Sequence, residues 1–414
     1  MKIKNVKDIV DWRLCVGCGL CAYICPENKI KLINFVEDGI RPMIELDGCG
    51  SCPKCVEVCP GFRTVHNFDQ KPLKVITELS EGWGSVLELW EGYSAKSDLR
   101  YSGSSAGLAS AIALYCIENE DMSGVLHIGS DPENPLMNKT YLSQSYYEIL
   151  TKTGSRYAPA SPCDSLEKIE NAKNKCVFIG KPCDIAGLRN AQDINPNLDE
   201  KVGVAISIFC AGTPSTKATL DLLKTRNIDP AQVSEIRYRG KGWPGMFSVK
   251  LNGNQTTTID ISYKKSWGFL QAYRPFRCHL CPDGTGEFAD ISCGDPWYRE
   301  INNEEAGSSL VLVRTEKGRN IIRNAMESGY IILNEVDYTV LIKSQENLLL
   351  KRKSIWGRLF ALKIFRIPTP QYRGFHLFTN WIKASNMEKI KSVLGTVKRI
   401  LIRNYLKRKK YQEL

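Results

Sequence analysis

Eight cysteines between residues 15 and 59 constrain this chain of 414 residues more than any other feature. They form two runs with the same spacing, C-x2-C-x2-C-x3-C-P, and each cysteine of the second run lies 34 residues after its counterpart in the first. The two runs consist of Cys15, Cys18, Cys21 and Cys25, and of Cys49, Cys52, Cys55 and Cys59. A short segment with so many thiols at regular spacing is expected to fold around groups that bind sulfur.

The spacing is typical of bacterial ferredoxins that hold two [4Fe–4S] clusters. In such a run, three cysteines bind one cluster, and the fourth, which precedes a proline, ligates the other cluster. The expected ligand sets are therefore crossed: Cys15, Cys18, Cys21 and Cys59 for one cluster, and Cys25, Cys49, Cys52 and Cys55 for the other. Two zinc sites are the alternative, because C-x2-C also binds zinc. The repeated run favours clusters, and we expect this segment to carry electrons.

Composition and charge indicate the cellular compartment of the chain and the partners that it can bind. It has 16 cysteines, and no secretory signal is recognisable, so a reducing, cytoplasmic compartment is expected. No run of 18 residues is free of charge, which argues against a transmembrane helix. The net charge is +11, but residues 351–414 alone carry 17 Lys or Arg and 2 Glu. The basicity therefore belongs to the tail, and nucleic-acid binding by the whole protein is not favoured.

The middle of the chain alternates apolar strands with helical stretches. Residues 124–129, 175–180 and 202–210 are predicted strands, and residues 311–313 and 331–333 are later ones, with a helix over 316–328. This alternation predicts an α/β body. Near the N-terminus, short strands over 30–33 and 41–46 fit a small α+β ferredoxin-like unit, with residues 1–14 as a strand or lead-in.

Two glycine-rich stretches are candidates for ligand contact. Residues 103–107 form a Gly/Ser loop before an alanine-rich helix, and backbone N–H groups at a helix N-terminus favour anions such as phosphate. The alternative is an ordinary N-cap. Residues 237–245 combine three cations with three glycines and two aromatic residues, which suits phosphates and planar rings. The alternative there is a surface turn.

Eight further cysteines lie outside the ferredoxin run. Cys278 and Cys281 form a third C-x2-C, and Cys183 and Cys210 each follow the carboxyl end of a predicted strand. These four could ligate another cluster, although zinc binding or plain buried thiols are alternatives. The remaining four are interpreted as structural thiols, and among the histidines only His279, inside the C-x2-C, is considered for function.

Taken together, these motifs resemble those of the family of coenzyme F420 hydrogenase/dehydrogenase beta subunits, in the version fused to an N-terminal two-cluster ferredoxin. The resemblance covers residues 1 to about 345. It rests on residues 104–107, 180–189, 209–210, 238–245, 278–283 and 289–297. One departure is Ala106, which stands where glycine is expected.

The resemblance implies an FAD-containing body with a third [4Fe–4S] cluster and hydride exchange with the deazaflavin coenzyme F420. It implies that the flavin phosphates meet Gly103, Ser104, Ser105 and Gly107. It assigns Lys181, Pro182, Arg239, Gly240 and Lys241 to cofactor binding, with Arg239 and Lys241 also as catalytic residues. It assigns the third cluster to Cys183, Cys210, Cys278 and Cys281. Relatives with a basic tail also resemble proteins found beside polysaccharide-assembly enzymes, whose hydride donor need not be coenzyme F420.

The tail beyond residue 345 lies outside this resemblance. Ile390, Val393, Leu394, Val397 and Leu401 fall at helical spacing, and lysines and arginines surround them. A basic amphipathic helix is typical of binding to an anionic membrane surface. Packing on the body or on an acidic partner protein is the alternative, and nucleic acid is the least favoured.

The expected architecture is an α+β ferredoxin-like module (1–65), a connector (66–95), an α/β flavin-binding body (96–345) and a basic helical tail (346–414). The first functional hypothesis is an oxidoreductase that passes electrons between reduced coenzyme F420 and a one-electron acceptor, either ferredoxin or another redox partner protein. The second is a flavin-dependent reductase of cell-surface polysaccharide synthesis with another hydride donor. The third is a non-catalytic electron-relay subunit. The expected location is cytoplasmic, with the inner face of the membrane as an additional contact.

Overall fold

A computed structural model describes residues 3–44, 49, 52–66, 74–252, 258–299 and 305–411. Its strands are β1 (Ile30–Phe35), β2 (Gly39–Ile44), β3 (Arg63–Val65), β4 (Glu88–Ser94), β5 (Gly124–Ser130), β6 (Asn138–Ser143), β7 (Cys176–Gly180), β8 (Val202–Ile208), β9 (Val233–Arg237), β10 (Met246–Leu251), β11 (Thr258–Ser262), β12 (Ile291–Gly294), β13 (Ser309–Val313), β14 (Ile331–Glu335) and β15 (Gln371–Arg373).

The α-helices of the described residues follow the same chain order. They are α1 (Val6–Asp11), α2 (Leu20–Tyr23), α3 (Lys54–Glu57), α4 (Ser80–Trp83), α5 (Ser97–Ser102), α6 (Leu108–Asn119), α7 (Tyr146–Thr151), α8 (Glu167–Glu170), α9 (Pro182–Gln192), α10 (Pro196–Lys201), α11 (Thr216–Lys224), α12 (Tyr263–Leu270), α13 (Phe276–His279), α14 (Glu316–Glu327), α15 (Tyr338–Ser344), α16 (Glu346–Ile364), α17 (Leu377–Ile382) and α18 (Asn386–Ile402).

An eight-stranded mixed sheet forms the centre of the body, in the order β14-β4-β13-β12-β8-β7-β5-β6. The four strands β12, β8, β7 and β5 run parallel, and antiparallel strands flank them on both sides. The side chains of β13 are all buried, and those of β8 are buried except at its last residue. Such continuous apolar strands need cover on both faces of the sheet. The predicted α/β body and its five strands are confirmed.

The predicted connector ends earlier than expected. Residues 66–95 include β4, which lies between β13 and β14 and pairs antiparallel with both. Residues 88–94 therefore belong to the body sheet. This strand is hard to recognise in the sequence because Gly92 interrupts its apolar pattern. The structure requires glycine there, because a Cβ would lie 1.9 Å from the Ile332 carbonyl oxygen.

The N-terminal module is a small α+β unit. β1 and β2 pair antiparallel from Ile30↔Ile44 to Phe35↔Gly39, which confirms the two predicted strands over the described residues; residues 45 and 46 lie outside them. The expected strand within residues 1–14 is wrong, because Val6–Asp11 forms a helix. The Asn5 side chain accepts a hydrogen bond from the Asp8 N–H and caps that helix, as asparagine does at N-caps.

The C-terminal segment packs against both preceding parts. β15 pairs parallel with β3 and so adds a strand to the N-terminal module. In α16, the Arg352 side chain is fully buried, pairs with Glu287 and donates a 2.8 Å hydrogen bond to the Phe375 carbonyl. The predicted helix around residues 390–401 is confirmed as α18. Residues 346–411 are thus integrated into the fold rather than forming a free tail.

Among the described residues, no helix combines the length and the apolar character needed to cross a bilayer.

Candidate functional site

A cavity of about 970 Å³ opens at the carboxyl ends of the four parallel strands. Ile128 of β5, Gly180 of β7 and Gly294 of β12 lie in its wall. Tyr263 and Trp267 of α12 form part of the opposite wall. This is the edge at which α/β sheets bind ligands, and the volume suits a cofactor-sized molecule.

The Gly/Ser loop before α6 lies at one end of this cavity. Gly103, Ser104, Ser105 and Gly107 all line it. A Cβ on Gly107 would lie 2.2 Å from the Leu99 carbonyl oxygen, and φ at Gly107 is +65°, so no larger residue fits there. No side chain caps α6, which leaves its first backbone N–H groups without a side-chain partner beside the cavity. Such groups and the helix dipole favour an anion.

Ala106 occupies the loop position where the family resemblance predicts glycine. Its φ is +51°, a left-handed conformation that costs an alanine about 1 kcal/mol relative to glycine. Its side chain is buried, and its carbonyl accepts a 3.0 Å hydrogen bond from the Ser94 N–H in β4. The surrounding structure therefore holds the alanine in the loop conformation that glycine would adopt more readily.

Arg239 ties this loop to the adjacent end of β12. Its guanidinium donates two 2.8 Å hydrogen bonds to the Asp295 carboxylate, one 2.7 Å bond to the Ser104 carbonyl and one 2.8 Å bond to the Pro244 carbonyl. Burial opposes the charge, but Asp295 raises the pKa of Arg239 well above its ordinary value. Arg239 therefore positions the loop, and it has little free hydrogen-bonding capacity for a ligand.

Aromatic rings form a platform beside Arg239. Tyr263 and Trp297 both line the cavity, and their rings lie parallel within 4° with centroids 5.4 Å apart. Trp243 continues the stack on the far side of Trp297 at 5.4 Å. The Arg239 guanidinium lies 4.6 Å from the Tyr263 ring centroid, within cation–π range. Such a wall suits a planar ligand ring.

The other residues assigned to cofactor binding fall in different places. Lys181 lines the cavity, with its ammonium 2.7 Å from the Asp184 carboxylate. Pro182 lines a smaller neighbouring cavity. Gly240 is buried outside the cavity wall, and Lys241, with φ +57°, is exposed to solvent and does not line the cavity either. The structure thus places Pro182, Gly240 and Lys241 outside the wall of the large cavity.

The four cysteines assigned to a third cluster share the smaller cavity, of about 50 Å³. Its wall contains all of them and one cysteine of the ferredoxin run: Cys183, Cys210, Cys278, Cys281 and Cys15. Cys210 and Cys278 also line the large cavity. We call Cys183, Cys210, Cys278 and Cys281 the third cysteine set. This set therefore lies between the large cavity and the N-terminal module.

Electrostatics shows how closely the third cysteine set is grouped. Burial first, and then the charges of Cys278 and Cys281, raise the pKa of Cys210 to about 11, although the charge of Lys351 opposes them. Burial also raises the pKa of Cys281, opposed by Lys351 and Arg277. Ionising these buried thiols is therefore unfavourable unless a cationic metal group binds the thiolates.

Arg277 is a buried cation on the wall between the third cysteine set and the module. Its guanidinium donates a 2.9 Å hydrogen bond to the Gly61 carbonyl and a 3.3 Å bond to the Pro60 carbonyl, just after Cys59. Its Nη1 has no hydrogen-bond partner among the described residues. It lines the same small cavity as Cys15 and Cys183. The two parts of the chain thus meet around a positive charge.

The cysteines of the ferredoxin run also fall into the two crossed groups. Burial raises the pKa of Cys21, and the charges of Cys15, Cys18 and Cys59 raise it further, with a smaller effect from Cys55. For Cys55, burial raises the pKa, and the cysteine charges that add to it belong to Cys49, Cys52 and Cys25. For Cys21 and Cys55, the neighbouring cysteine charges therefore come mainly from the expected ligand set of each.

Cys163 contacts the ferredoxin run, which the sequence did not reveal. It was interpreted as a structural thiol, yet it is fully buried against Cys18 of the ferredoxin run, and its N–H donates a 3.0 Å hydrogen bond to the Cys18 carbonyl. A hydrogen bond from the Cys163 side chain lowers the pKa of Cys18, although burial opposes this. Its isolated position in the sequence offered no signal for this contact.

The donor sets fit the groups that the sequence implies. In the described part of the chain, no three His, Cys, Asp or Glu side chains converge on a position for a single metal ion. A four-iron cubane binds its cysteines at separate irons, so it needs no such convergence. The large cavity offers a glycine loop for phosphates at one end and stacked aromatic rings for a planar ring, which fits FAD.

Three family models match the chain. One described as "4Fe-4S dicluster domain" matches residues 9–66. The other two describe the two parts of the coenzyme F420 hydrogenase/dehydrogenase beta subunit: the N-terminal model matches residues 89–167, and the C-terminal model matches residues 173–339. These two together cover the body from β4 to α15 and end before α16. The cluster-binding module and the body are thus matched separately.

Similar curated proteins come from methanogenic archaea. The coenzyme F420-dependent sulfite reductase of Methanocaldococcus jannaschii is 26% identical over 340 residues, which are 78% of this chain and 47% of that protein. An uncharacterised protein of the same organism is 25% identical and is covered over 97% of its length. One subunit of the F(420)H(2) dehydrogenase of Methanosarcina mazei is 20% identical over 78% of this chain and 86% of its own. The chain thus spans about half of the sulfite reductase but nearly all of the second relative.

A solved structure shares the fold. It belongs to the F420-reducing [NiFe] hydrogenase complex from Methanosarcina barkeri, with a TM-score of 0.50 and 21% identity over 66% of this chain and 94% of that one. At this identity the likeness shows the fold alone.

Proposed function

The chain belongs to the family of coenzyme F420 hydrogenase/dehydrogenase beta subunits, and on that premise we propose that it is an iron–sulfur flavoprotein oxidoreductase. In this proposal it passes electrons between reduced coenzyme F420 and a one-electron acceptor. The relatives named above are oxidoreductases or their subunits, which supports the reaction class. One of them is part of a multi-subunit complex, so we include a redox partner protein as the acceptor.

One observation carries the proposal. The large cavity, which fits a flavin, shares Cys210 and Cys278 with the small cavity, and the small cavity reaches Cys15 of the two-cluster module. This arrangement supports the proposal that the four cysteines join a two-electron site to a one-electron module. A non-catalytic relay would not need a cavity of this size at the sheet edge.

The proposed cofactors divide the chemistry. Bound FAD would exchange a hydride for single electrons, and [4Fe–4S] clusters would carry the single electrons. We assign the flavin phosphates to Gly103, Ser104, Ser105 and Gly107, and the third cluster to Cys183, Cys210, Cys278 and Cys281.

The chain's own residues supply binding, orientation and exclusion of water. Arg239 and Asp295 hold the loop against the end of β12, so the phosphate-binding groups are fixed before a ligand arrives. Trp297 and Tyr263 present a stacked face that can orient a planar ring and displace water from it. Hydride transfer needs no proton acceptor, and we assign none. We propose Arg239 as a positioning residue and leave Lys241 out of the site.

Composition and one cysteine variant test this proposal. Protein purified without oxygen should contain about twelve irons and one flavin per chain, since three cubanes hold four irons each. The Cys278→Ser variant should contain about eight irons and keep its flavin. Cys116→Ser is the matched control, because Cys116 is fully buried in the body core and not assigned to a cluster. Unchanged iron in Cys278→Ser would refute the third ligand set, and absence of flavin would refute the enzyme.

We also propose that the C-terminal helices contact an anionic membrane surface. Leu394, Leu401 and Ile402 of α18 are 61%, 58% and 71% exposed, and Ile364 and Phe378 on the adjoining helices are also more than half exposed. Lysines and arginines flank them, and the segment's charge makes it complementary to anionic lipid. Apolar side chains beside basic ones are typical of helices that lie on a membrane.

Vesicle sedimentation tests this contact. The protein should sediment with vesicles rich in phosphatidylglycerol more than with phosphatidylcholine vesicles, and less at high salt. Leu394→Asp should abolish sedimentation without unfolding the chain, because the side chain is exposed; Tyr147→Asp, at an equally exposed site on α7, is the control. Equal behaviour of both variants would refute the membrane surface and would favour a partner protein.

A further inference from the structure

The large cavity has a second end, which is built by helices that lie beyond the matched family models. Those models end at residue 339, whereas Lys351 and Arg358 of α16 and Lys391 of α18 line the cavity. Arg274, from the segment before α13, lines it beside them. We call these four residues the distal cation cluster. It lies in the cavity wall with His279, whereas the Gly/Ser loop forms the other end.

The charges in the cavity wall do not balance. Eight lysine and arginine residues line it, against three carboxylates. Asp184 pairs with Lys181, and Asp295 pairs with Arg239. The third carboxylate, Glu388, accepts a 2.7 Å hydrogen bond from the Ser385 N–H in the capping box of α18. Two ion pairs and one helix cap thus use all three carboxylates.

The distal cations repel one another. Burial first, and then the charges of Arg399 and Arg274, lower the pKa of Arg358 to about 10. Among the described residues, the ion pairs of the cavity carboxylates are those of Asp184 with Lys181 and of Asp295 with Arg239, and neither includes a cation of the cluster. Hydrogen bonds with Ser385 and, more weakly, the charge of Lys391 lower the pKa of Glu388. Lys351 also lines the small cavity and so faces the cysteines assigned to the third cluster. Arg274, Arg358 and Lys391 line the large cavity alone, and grouping these cations in a partly buried wall is unfavourable unless an anion binds there.

The hydrogen-bonding capacity of the cluster is also largely free. Arg358 donates one bond to the His279 carbonyl, and Arg274 donates to the Ala211 and Gln271 carbonyls. These neutral contacts hold the guanidinium groups in place without neutralising them. Guanidinium groups fixed in this way are suited to phosphate or carboxylate oxygens.

We propose that the distal cation cluster binds an anionic tail, carrying phosphate or carboxylate groups, on the two-electron substrate of the large cavity. This inference rests on the proposed function for the identity of that substrate. The phosphates of the flavin are assigned to the opposite, glycine-loop end, so they do not account for these charges. The cluster is contributed by α16, α18 and one body segment, so the C-terminal segment selects the substrate in this chain.

Steady-state kinetics with two deazaflavin substrates test the proposal. One is reduced coenzyme F420, which has phosphate and carboxylate groups in its tail, and the other is the reduced deazaflavin core without them. The Arg358→Gln/Lys391→Gln variant should raise KM for coenzyme F420 at least about tenfold, since a charged hydrogen bond contributes about 1.5–3 kcal/mol. KM for the core should stay within about twofold. The matched control is Lys353→Gln/Lys398→Gln, on the same two helices but outside the cavity wall, and it should change neither value.

A binding measurement separates this inference from the proposed function. Calorimetric titration of the holoprotein with inorganic pyrophosphate should show binding that the Arg358→Gln/Lys391→Gln variant loses and that Lys152→Gln, at the loop end, keeps. If pyrophosphate binds in this pattern but the protein oxidises neither deazaflavin, the proposed function is refuted and the anion site is supported. Equal KM changes for both deazaflavins would overturn the anion site. So would no pyrophosphate binding, or loss of binding in Lys152→Gln alone. A shift in cluster reduction potential with unchanged KM would overturn it too, because the cations would then serve only the cluster.

Discussion

Replacement of Arg239 by leucine tests whether this residue holds the cofactor loop. The substitution removes both hydrogen bonds to Asp295 and those to the Ser104 and Pro244 carbonyls. It also leaves the Asp295 carboxylate, whose side chain is 14% exposed, with only the Trp243 indole N–H as a side-chain donor among the described residues. Removing one partner of a buried ion pair costs about 3–5 kcal/mol. For a body of this size, a melting temperature lower by on the order of 10 °C is expected.

Thermal unfolding and flavin content of the same samples measure the two consequences. Arg239→Leu should unfold earlier and bind less flavin, whereas Lys241→Leu, an exposed residue two positions along the chain, should match the wild type in both. Asp295→Asn should also lower the melting temperature and the flavin content, because it leaves the buried Arg239 guanidinium without its counterion. The reasoning fails if Arg239→Leu unfolds at the wild-type temperature, or if Lys241→Leu loses flavin and Arg239→Leu does not.

Three further predictions follow from particular residues. Ala106→Gly should raise stability to denaturant by up to about 1 kcal/mol, because φ is +51° there; a lower unfolding midpoint would contradict this. Arg352→Met should destabilise the chain by about 3–5 kcal/mol at pH 7, measured by denaturant unfolding, because Glu287 would be left buried without its main partner. In the wild type, burial opposes ionisation of Glu287, but Arg352 lowers its pKa to about 2. The ion pair therefore stabilises the folded state fully above pH 4.5, and this contribution is lost as the pH falls towards 2. An unfolding midpoint that does not change with pH would refute this reasoning. Cys163→Ala should leave the iron content unchanged but shift the reduction potential of the cluster at Cys18, read by a redox titration, because it removes a buried side chain that packs with Cys18 and lowers the pKa of that thiol; an unshifted potential would contradict that role.

Much of the fold could be predicted from local patterns. Strand β8 is apolar at nearly every position, and β1 and β2 flank a glycine-containing turn, so their periodicity identified them. The spacing of the two cysteine runs predicts crossed ligand sets, because the shape of the cluster fixes the spacing of its ligands. The module helix at Val6–Asp11 was missed because six residues are too few for a clear helical period.

The site depended on contacts that no local pattern contains. Arg239 and Lys241 are two residues apart in one motif and share a predicted role, but the first is buried against Asp295 and the second faces solvent. The basic C-terminal segment was predicted as a tail because its charges dominate its composition. Its contribution to the fold comes instead from single residues, among them Arg352 at Glu287 and β15 beside β3. Such pairings join residues far apart in sequence, and neither partner identifies the other in advance.

Anaerobic rapid mixing of the holoprotein with reduced coenzyme F420 tests the central claim most directly. The account predicts that absorbance of the oxidised flavin bleaches within the mixing experiment, and that cluster signals then grow in electron paramagnetic resonance spectra of samples frozen at later times. Cys278→Ser should bleach normally but fail to develop the signals of the N-terminal clusters. Bound flavin that reduced coenzyme F420 leaves oxidised would contradict the proposed donor, and cluster reduction that is undiminished in Cys278→Ser would contradict the connection through the third cysteine set.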